Sequence, residues 1–223
     1  MKSRNTVAVP PPDMSLPWGK FPKSELKPGR KLYRTAKRGR GAWWFCHCGE
    51  CRFDLSAPRG TCYAGTDPLT GILESIGPDW CNGEPAVGLI PKLVNERQMH
   101  CYELPKAVDA ANLTTRKALR YKITNELVTM TPYDVPQQYA KVFDETPGKR
   151  KEHQFEGIQF RTRFDTGATA RGVALFDQEG ERPWKSKTFE IDDNLIAQLE
   201  NIGIFVEEPC GTSKVNTPDE SSD

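Results

Sequence analysis

The spacing of apolar and polar residues along the chain predicts a core of mixed strands and helices. Helical spacing of apolar residues follows three aspartates, Asp67, Asp134 and Asp193, near which we predict helices to begin. Strand-like alternation or short apolar runs occupy five segments: 31–36, 61–65, 99–104, 155–163 and 171–176. Because these elements alternate without a regular βαβ rhythm, the pattern favours an α+β fold.

The helix after Asp67 has clear start and stop signals. Asp67 is placed as its N-cap, Pro68 takes the first helical position, and Gly77-Pro78 is predicted to end it. Its apolar residues share one face by spacing: Leu69, Ile72, Leu73 and Ile76. Glu74 lies about 150° from the centre of that face, which predicts a carboxylate that points away from the core.

Composition at the two ends predicts flexible tails around a single domain. Residues 1–29 are basic and contain six prolines and few aliphatic side chains, so they bury too little surface to offset ordering entropy. Residues 209–223 are polar and acidic. We therefore predict one folded domain over 30–208.

Charge and hydropathy narrow the class of protein. The chain has no apolar run of the roughly 18 residues that a membrane span needs and no secretory signal, so a cytoplasmic protein is expected. Net charge is +1, but residues 1–60 carry 13 Lys and Arg against 4 Asp and Glu. Such a basic N-terminal part can bind nucleic acid, bind an acidic partner or line a phosphate pocket, although most of its charge is expected to be solvated.

The cysteines are interpreted as thiols. Seven are present, an odd number, which argues against a disulfide framework. Cys46, Cys48 and Cys51 form the one dense group, but zinc needs four ligands and no second paired cluster follows. We predict no metal site, and metal binding by these three cysteines stays an open alternative.

Common catalytic signatures are missing from the sequence. It contains no GxGxxG, GxxxxGK[ST] or GxSxG motif, and its three histidines have no spacing typical of a metal site or a triad. What remains is an ordered set of charged and aromatic residues in the first half of the chain: Arg34, Arg52, Tyr63 and Glu74.

Three stretches resemble the RES-domain family, and the first two contain these four residues: KLYR at 31–34, RFDLSAPRGTCYAGTDPLTGILE at 52–74 and FEGIQFRTRFDTGATARGVALF at 155–176. The resemblance spans residues 32–176. It implies a single RES-type domain with the α+β fold of ADP-ribosyltransferase toxins. It also implies an enzyme that cleaves the nicotinamide to ribose bond of NAD by hydrolysis or phosphorolysis, as the toxin of a toxin–antitoxin pair.

Four residues fall on the site positions of that family: Arg34, Arg52, Tyr63 and Glu74. The two arginines suit the diphosphate of NAD, because a guanidinium binds phosphate with paired hydrogen bonds. Glu74 would stabilise the ribose cation, and Tyr63 would stack on nicotinamide or bond through its hydroxyl. Thr162 stands where the family has a serine; it keeps the hydroxyl but adds a methyl group.

The resemblance also sets the expected partners. NAD is expected as substrate with no further cofactor, and inorganic phosphate is the alternative to water as the attacking group, with Arg161, Arg163 or Arg171 as candidates to bind it. An antitoxin protein is the implied partner. Two alternatives stay open: an ADP-ribosyltransferase with a protein or nucleotide acceptor, and a non-catalytic module binding zinc and nucleic acid, whose basic footprint is weak. The sequence leaves the oligomeric state undetermined.

Overall fold

The computed structural model describes residues 9–83, 86–149 and 152–204, which form a mixed α+β domain as predicted. Its strands are β1 (Lys23–Leu26), β2 (Lys31–Lys37), β3 (Trp44–Phe45), β4 (Arg59–Gly65), β5 (Arg97–Glu103), β6 (Val108–Asn112), β7 (Gly157–Phe160), β8 (Gly172–Gln178), β9 (Gly180–Glu181) and β10 (Ser186–Phe189). Its α-helices are α1 (Pro68–Cys81), α2 (Ala86–Glu96), α3 (Asp134–Glu145) and α4 (Asp193–Asn201), and short 3-10 helices span Trp18–Lys20, Arg116–Tyr121 and Asn125–Val128.

The main sheet has eight strands in the order β1-β6-β7-β8-β4-β2-β5-β10, and β3 pairs separately with β9. Adjacent strands of the main sheet are antiparallel, except that β6 and β7 are parallel. Long ladders join β2 to β5 and β4 to β8. In contrast, β2 and β4 pair at one position, Tyr33 with Gly65, so the sheet opens at its centre.

Hydrophobic clusters cover both faces of the sheet, because successive side chains of a strand point to opposite faces. On one face, Tyr33 and Met99 pack with residues of α1, α2 and α4, whereas Ala174 packs with residues of α3. The opposite face carries an aromatic cluster that includes Trp43 and Phe45. The helices thus form two groups at the two ends of one face.

Helix α1 packs closely on strand β2. Asp67 caps it as predicted, with Oδ1 accepting the Thr70 N–H at 2.8 Å. A Cβ at Gly71 would lie 2.9 Å from the Tyr33 carbonyl oxygen, so the glycine permits the contact. The predicted end at Gly77-Pro78 is wrong, since α1 continues to Cys81. A proline so near the end removes one backbone hydrogen bond without ending the helix.

The prediction of a flexible tail over 1–29 is wrong for residues 9–29. Val9, Trp18 and Phe21 are buried, and β1 pairs with β6. The rings of Trp18 and Phe21 both pack against Phe143 of α3, the first edge-on and the second tilted, within one hydrophobic cluster. Few apolar residues suffice here because aromatic side chains each bury a large area. The domain therefore starts well before residue 30.

Other predicted bounds need smaller corrections. β7 ends at Phe160 rather than at 163. The helical spacing of apolar residues after Asp193 also predicts a buried Ile202, but this residue lies beyond the end of α4 and is 52% exposed. The predicted tail at 209–223 lies outside the described residues. Among the described helices, none combines the length and apolar character that crossing a bilayer requires.

Candidate active site

A cavity of about 590 Å³ lies where β2 and β4 diverge, between the two groups of helices. This is within the usual volume range of small-molecule sites. Its walls come from strands β2, β4, β7 and β8, helix α1, and the loops before β4, before α3 and after β7. The polar and aromatic side chains used below are among those lining it: Tyr33, Arg34, Arg52, Tyr63, Glu74, Tyr133, Arg163 and Phe164.

Glu74 is the carboxylate that α1 presents to the cavity. It points away from the buried stripe of the helix, as the spacing predicts, but it is only partly exposed. Its Oε1 accepts the backbone N–H groups of Arg163 and Phe164, each at 3.0 Å. Burial raises the pKa of Glu74, although these two hydrogen bonds and the charge of Arg52 act in the opposite direction.

Arg52 brings a positive charge into the same cavity. Its guanidinium lies over the ring of Tyr133, with 5.2 Å from Cζ to the ring centroid. Its Nε is buried and has no hydrogen-bond partner among the residues that the structure describes. Burial lowers the pKa of Arg52, but an arginine stays protonated. A buried, charged donor without a partner is suited to an anionic ligand.

Tyr63 presents its ring to the cavity, since its hydroxyl forms hydrogen bonds with other residues of the protein. The hydroxyl donates to Asp54 Oδ1 at 3.0 Å and accepts the Phe53 N–H at 2.7 Å. Burial raises the pKa of Tyr63 well above its usual value, and the nearby Asp54 carboxylate acts in the same direction. Of the two roles predicted for Tyr63, these contacts favour stacking.

Arg34 is more tightly held than a solvated cation. Side chains alternate along β2, so Arg34 shares the face of Leu32, towards the aromatic cluster. Its Nη1 donates to the Trp44 carbonyl at 3.1 Å and contacts Cys62 Sγ at 3.4 Å. It lines the cavity at the divergence of β2 and β4.

The loop after β7 gives a mixed outcome for its candidates. Thr162 is buried, does not line the cavity, and donates its hydroxyl to the Asp165 carbonyl. Among the arginines considered for phosphate, Arg163 lines the cavity, whereas Arg161 and Arg171 do not. Arg171 is tied instead to backbone carbonyls, including that of Ala168 at 3.0 Å.

Asp54 is a site residue that sequence reasoning missed. It is 4% exposed, supports Tyr63, and also contacts the cysteine loop. Burial raises its pKa, while its hydrogen bonds act against this shift. A sequence signal was present, since Cys48, Cys51 and Asp54 follow one another at intervals of three residues.

Taken together, fold and cavity define an α+β domain whose opened sheet carries a cleft with three arginines and a helical carboxylate. A similar fold occurs in a chain of the M. tuberculosis MbcT-MbcA toxin-antitoxin complex, with a TM-score of 0.56 and 12% sequence identity. The alignment covers 79% of this chain and 92% of that chain. No protein-family model and no curated protein matches the sequence.

Proposed function

We propose that the chain degrades NAD by cleaving its nicotinamide to ribose bond, and that it acts as the toxin of a toxin–antitoxin pair. The observation that carries the proposal is Glu74, a carboxylate inside an arginine-lined cavity. The RES-like stretches and the similar fold in a toxin–antitoxin complex support it.

The charges of the cavity suit the two ends of NAD. The diphosphate needs planar, charged donors, and Arg52 has a buried Nε free for such a bond among the described residues. Arg163 and Arg34 line the same cavity and add positive charge. Aromatic rings of Tyr63 and Tyr133 provide flat surfaces for nicotinamide or adenine.

Bond cleavage follows from the chemistry of the substrate. Nicotinamide in NAD is cationic and leaves as a neutral molecule, so its departure needs no general acid. The C1′–N bond breaks with its electron pair going to nitrogen, and the ribose develops positive charge. The Glu74 carboxylate stabilises that charge electrostatically. Water or phosphate then attacks C1′, giving nicotinamide with ADP-ribose or its phosphate, and attack by water releases a proton.

An antitoxin partner is the second part of the proposal. The similar chain was solved in a toxin–antitoxin complex. A partner that closed the mouth of the cavity would block NAD without altering Glu74 or the arginines. The proposal therefore predicts that a neutralising partner and NAD compete for the protein.

Product analysis tests the activity. Purified protein is incubated with NAD, with and without inorganic phosphate, and the products are separated by chromatography and identified by mass spectrometry. We expect free nicotinamide in both reactions, and a phosphorylated ADP-ribose if phosphate attacks. Glu74→Gln protein, prepared identically, controls for contaminating hydrolases.

Two outcomes would contradict this proposal. Intact NAD after long incubation with folded protein would remove the enzymatic role. Nicotinamide release that depends on an added protein or nucleotide, with ADP-ribose recovered on that acceptor, would assign the chain as an ADP-ribosyltransferase.

A further inference from the structure

The loop between β3 and β4 gathers several metal-binding side chains beside the cavity. Cys48 Sγ, Cys51 Sγ and a carboxylate oxygen of Asp54 lie within 4.8 Å of one another. Cys48 Sγ contacts Asp54 Oδ2 at 3.3 Å, and the Cys51 N–H donates to that oxygen at 3.0 Å. Cys46 Sγ is adjacent, since it accepts the Cys48 N–H at 3.3 Å.

We propose that this loop binds a zinc ion through Cys48, Cys51 and Asp54, with Cys46 as the fourth ligand. Zinc prefers four sulfur, nitrogen or oxygen ligands in a tetrahedron, with Zn–S near 2.3 Å and Zn–O near 2.0–2.2 Å. Ligand atoms of such a site lie about 3.5–3.8 Å apart, so Cys48, Cys51 and Asp54 need only a small contraction. Cys46 Sγ lies outside their 4.8 Å group and has to turn towards it. Each coordinating thiol releases its proton to solvent when zinc binds.

Asp54 changes the conclusion that the sequence suggested. The sequence argues against a metal site because no second paired cluster of cysteine or histidine follows Cys46, Cys48 and Cys51, whereas the Asp54 carboxylate can supply the missing ligand. His47 is not proposed as a ligand, because its Nδ1 already contacts Glu179 Oε2 at 2.7 Å. A carboxylate contributes nothing to a disulfide between Cys48 and Cys51, whereas it completes a metal site.

The loop is already held in place by its surroundings. Gln137 on α3 donates from Nε2 to the carbonyls of Gly49 and Cys51, at 2.9 and 3.0 Å. Cys48 and Cys51 are exposed, so an ion can reach them. A largely preformed group of this kind loses less conformational entropy on binding than a disordered loop.

Zinc at this position would fix one wall of the cavity. Arg52 directly follows Cys51, and Asp54 uses its other oxygen to accept the Tyr63 hydroxyl. With four protein ligands the ion has no open position, so its role is structural. The inference does not rest on NAD cleavage, because it is tested by metal content.

Metal analysis of protein expressed with zinc tests the site. We expect about one zinc ion per chain in the wild type. Cys48→Ser, Cys51→Ser and Asp54→Asn should each lower zinc affinity by at least about tenfold. His47→Ala and Cys81→Ser, which alter a neighbouring histidine and an exposed cysteine outside the group, should keep the wild-type zinc content.

Cobalt substitution gives a second measurement that needs no variant to fold. Reduced, metal-free wild-type protein titrated with Co²⁺ should show thiolate charge-transfer bands and the visible bands of a tetrahedral ion. Zinc should then displace the cobalt. Absence of uptake of either ion by reduced, folded protein would overturn the proposal. A Cys48–Cys51 disulfide found in the same protein before it is reduced would then assign a redox pair instead. Equal zinc affinity in wild type and all three ligand variants, measured by competition with a chelator, would overturn it too.

Discussion

At the scale of single residues, the candidate site combines charges that are costly to bury. The carboxylate of Glu74 accepts hydrogen bonds from two backbone N–H groups, and burial raises its pKa. Arg52 leaves a buried Nε without a partner among the described residues. Protein interiors satisfy nearly all such groups, and those left strained or unsatisfied concentrate at functional sites.

Glu74→Gln should separate the charge from the shape of this residue. We expect kcat for NAD cleavage to fall by about 10² to 10³, since a neutral amide cannot stabilise a ribose cation. KM should change less. Glu145→Gln, on an exposed position of α3, is the matched control and should keep wild-type kinetics. Normal cleavage by the Glu74 variant would remove its catalytic role.

The same variant makes a prediction on stability and pH. Because burial raises the pKa of Glu74, its ionised form costs stability at neutral pH, and that cost disappears as pH falls below the unfolded value. Glu74→Gln should therefore unfold at an equal or slightly higher urea concentration at neutral pH, with the difference vanishing in acid. A large loss of stability would mean that the residue is mainly structural.

Arg52→Lys tests the phosphate role. An ammonium cannot reproduce the planar paired contact or the stacking on Tyr133. We expect kcat/KM to fall roughly 10- to 100-fold, equivalent to about 1.5–3 kcal/mol. Arg38→Lys, at an exposed pair with Glu190, should leave kcat/KM unchanged. Equal kinetics in both variants, with folding verified by circular dichroism, would exclude Arg52 from substrate binding.

At the scale of elements, the position of Glu74 depends on how α1 meets the sheet. Asp67 fixes where the helix begins, and Gly71 lets its backbone approach Tyr33. Gly77 gives room for the ring of Phe164, and the backbone N–H of Phe164 donates a hydrogen bond to the Glu74 carboxylate. The helix, β2 and the loop after β7 are therefore coupled through close contacts.

Gly71→Ala should weaken that contact. The added Cβ would meet backbone, the Tyr33 carbonyl oxygen at 2.9 Å, so α1 must shift. We expect a loss of about 1–3 kcal/mol in the free energy of unfolding, together with lower activity. Gly19→Ala, where the Cβ meets nothing within 4 Å, is the control and should be nearly neutral. Urea unfolding of both variants checks this, and wild-type stability of Gly71→Ala would refute the tight contact.

At the scale of the whole molecule, the N-terminal segment belongs to the domain. Trp18 is 6% exposed and packs against rings of α3, while β1 forms the edge of the sheet beside β6. This segment and α3 lie in one cluster, and α1, α2 and α4 lie in another. The cavity lies between them.

Trp18→Ala should therefore destabilise the protein by about 3–5 kcal/mol, as expected for a buried aromatic residue. Met14→Ala, nearby and 71% exposed, should have little effect. Thermal unfolding of both variants distinguishes a packed segment from a flexible tail. Equal melting temperatures for wild type and Trp18→Ala would mean that the segment is a flexible tail.

The sequence by itself determined the elements with local signals. Apolar spacing predicted β2, β4, β5, β8, α3 and α4, and Asp67 with Pro68 marked the start of α1. Asp134, predicted as a cap, is instead the first residue of α3 and caps nothing. The resemblance selected Arg34, Arg52, Tyr63 and Glu74, which the structure places around one cavity. The apolar spacing and the Asp67-Pro68 start signal lie within a few residues of the elements that they predict, so they can be recognised in the sequence alone.

Only the tertiary structure decided what each of these residues contacts. Glu74 binds backbone groups 89 and 90 residues later, and the Arg171 guanidinium binds carbonyls instead of facing the cavity. The packing of Trp18 likewise depends on residues more than a hundred positions away. Burial, pKa and hydrogen-bond partners depend on distance in space, and folding joins distant segments that no local periodicity relates.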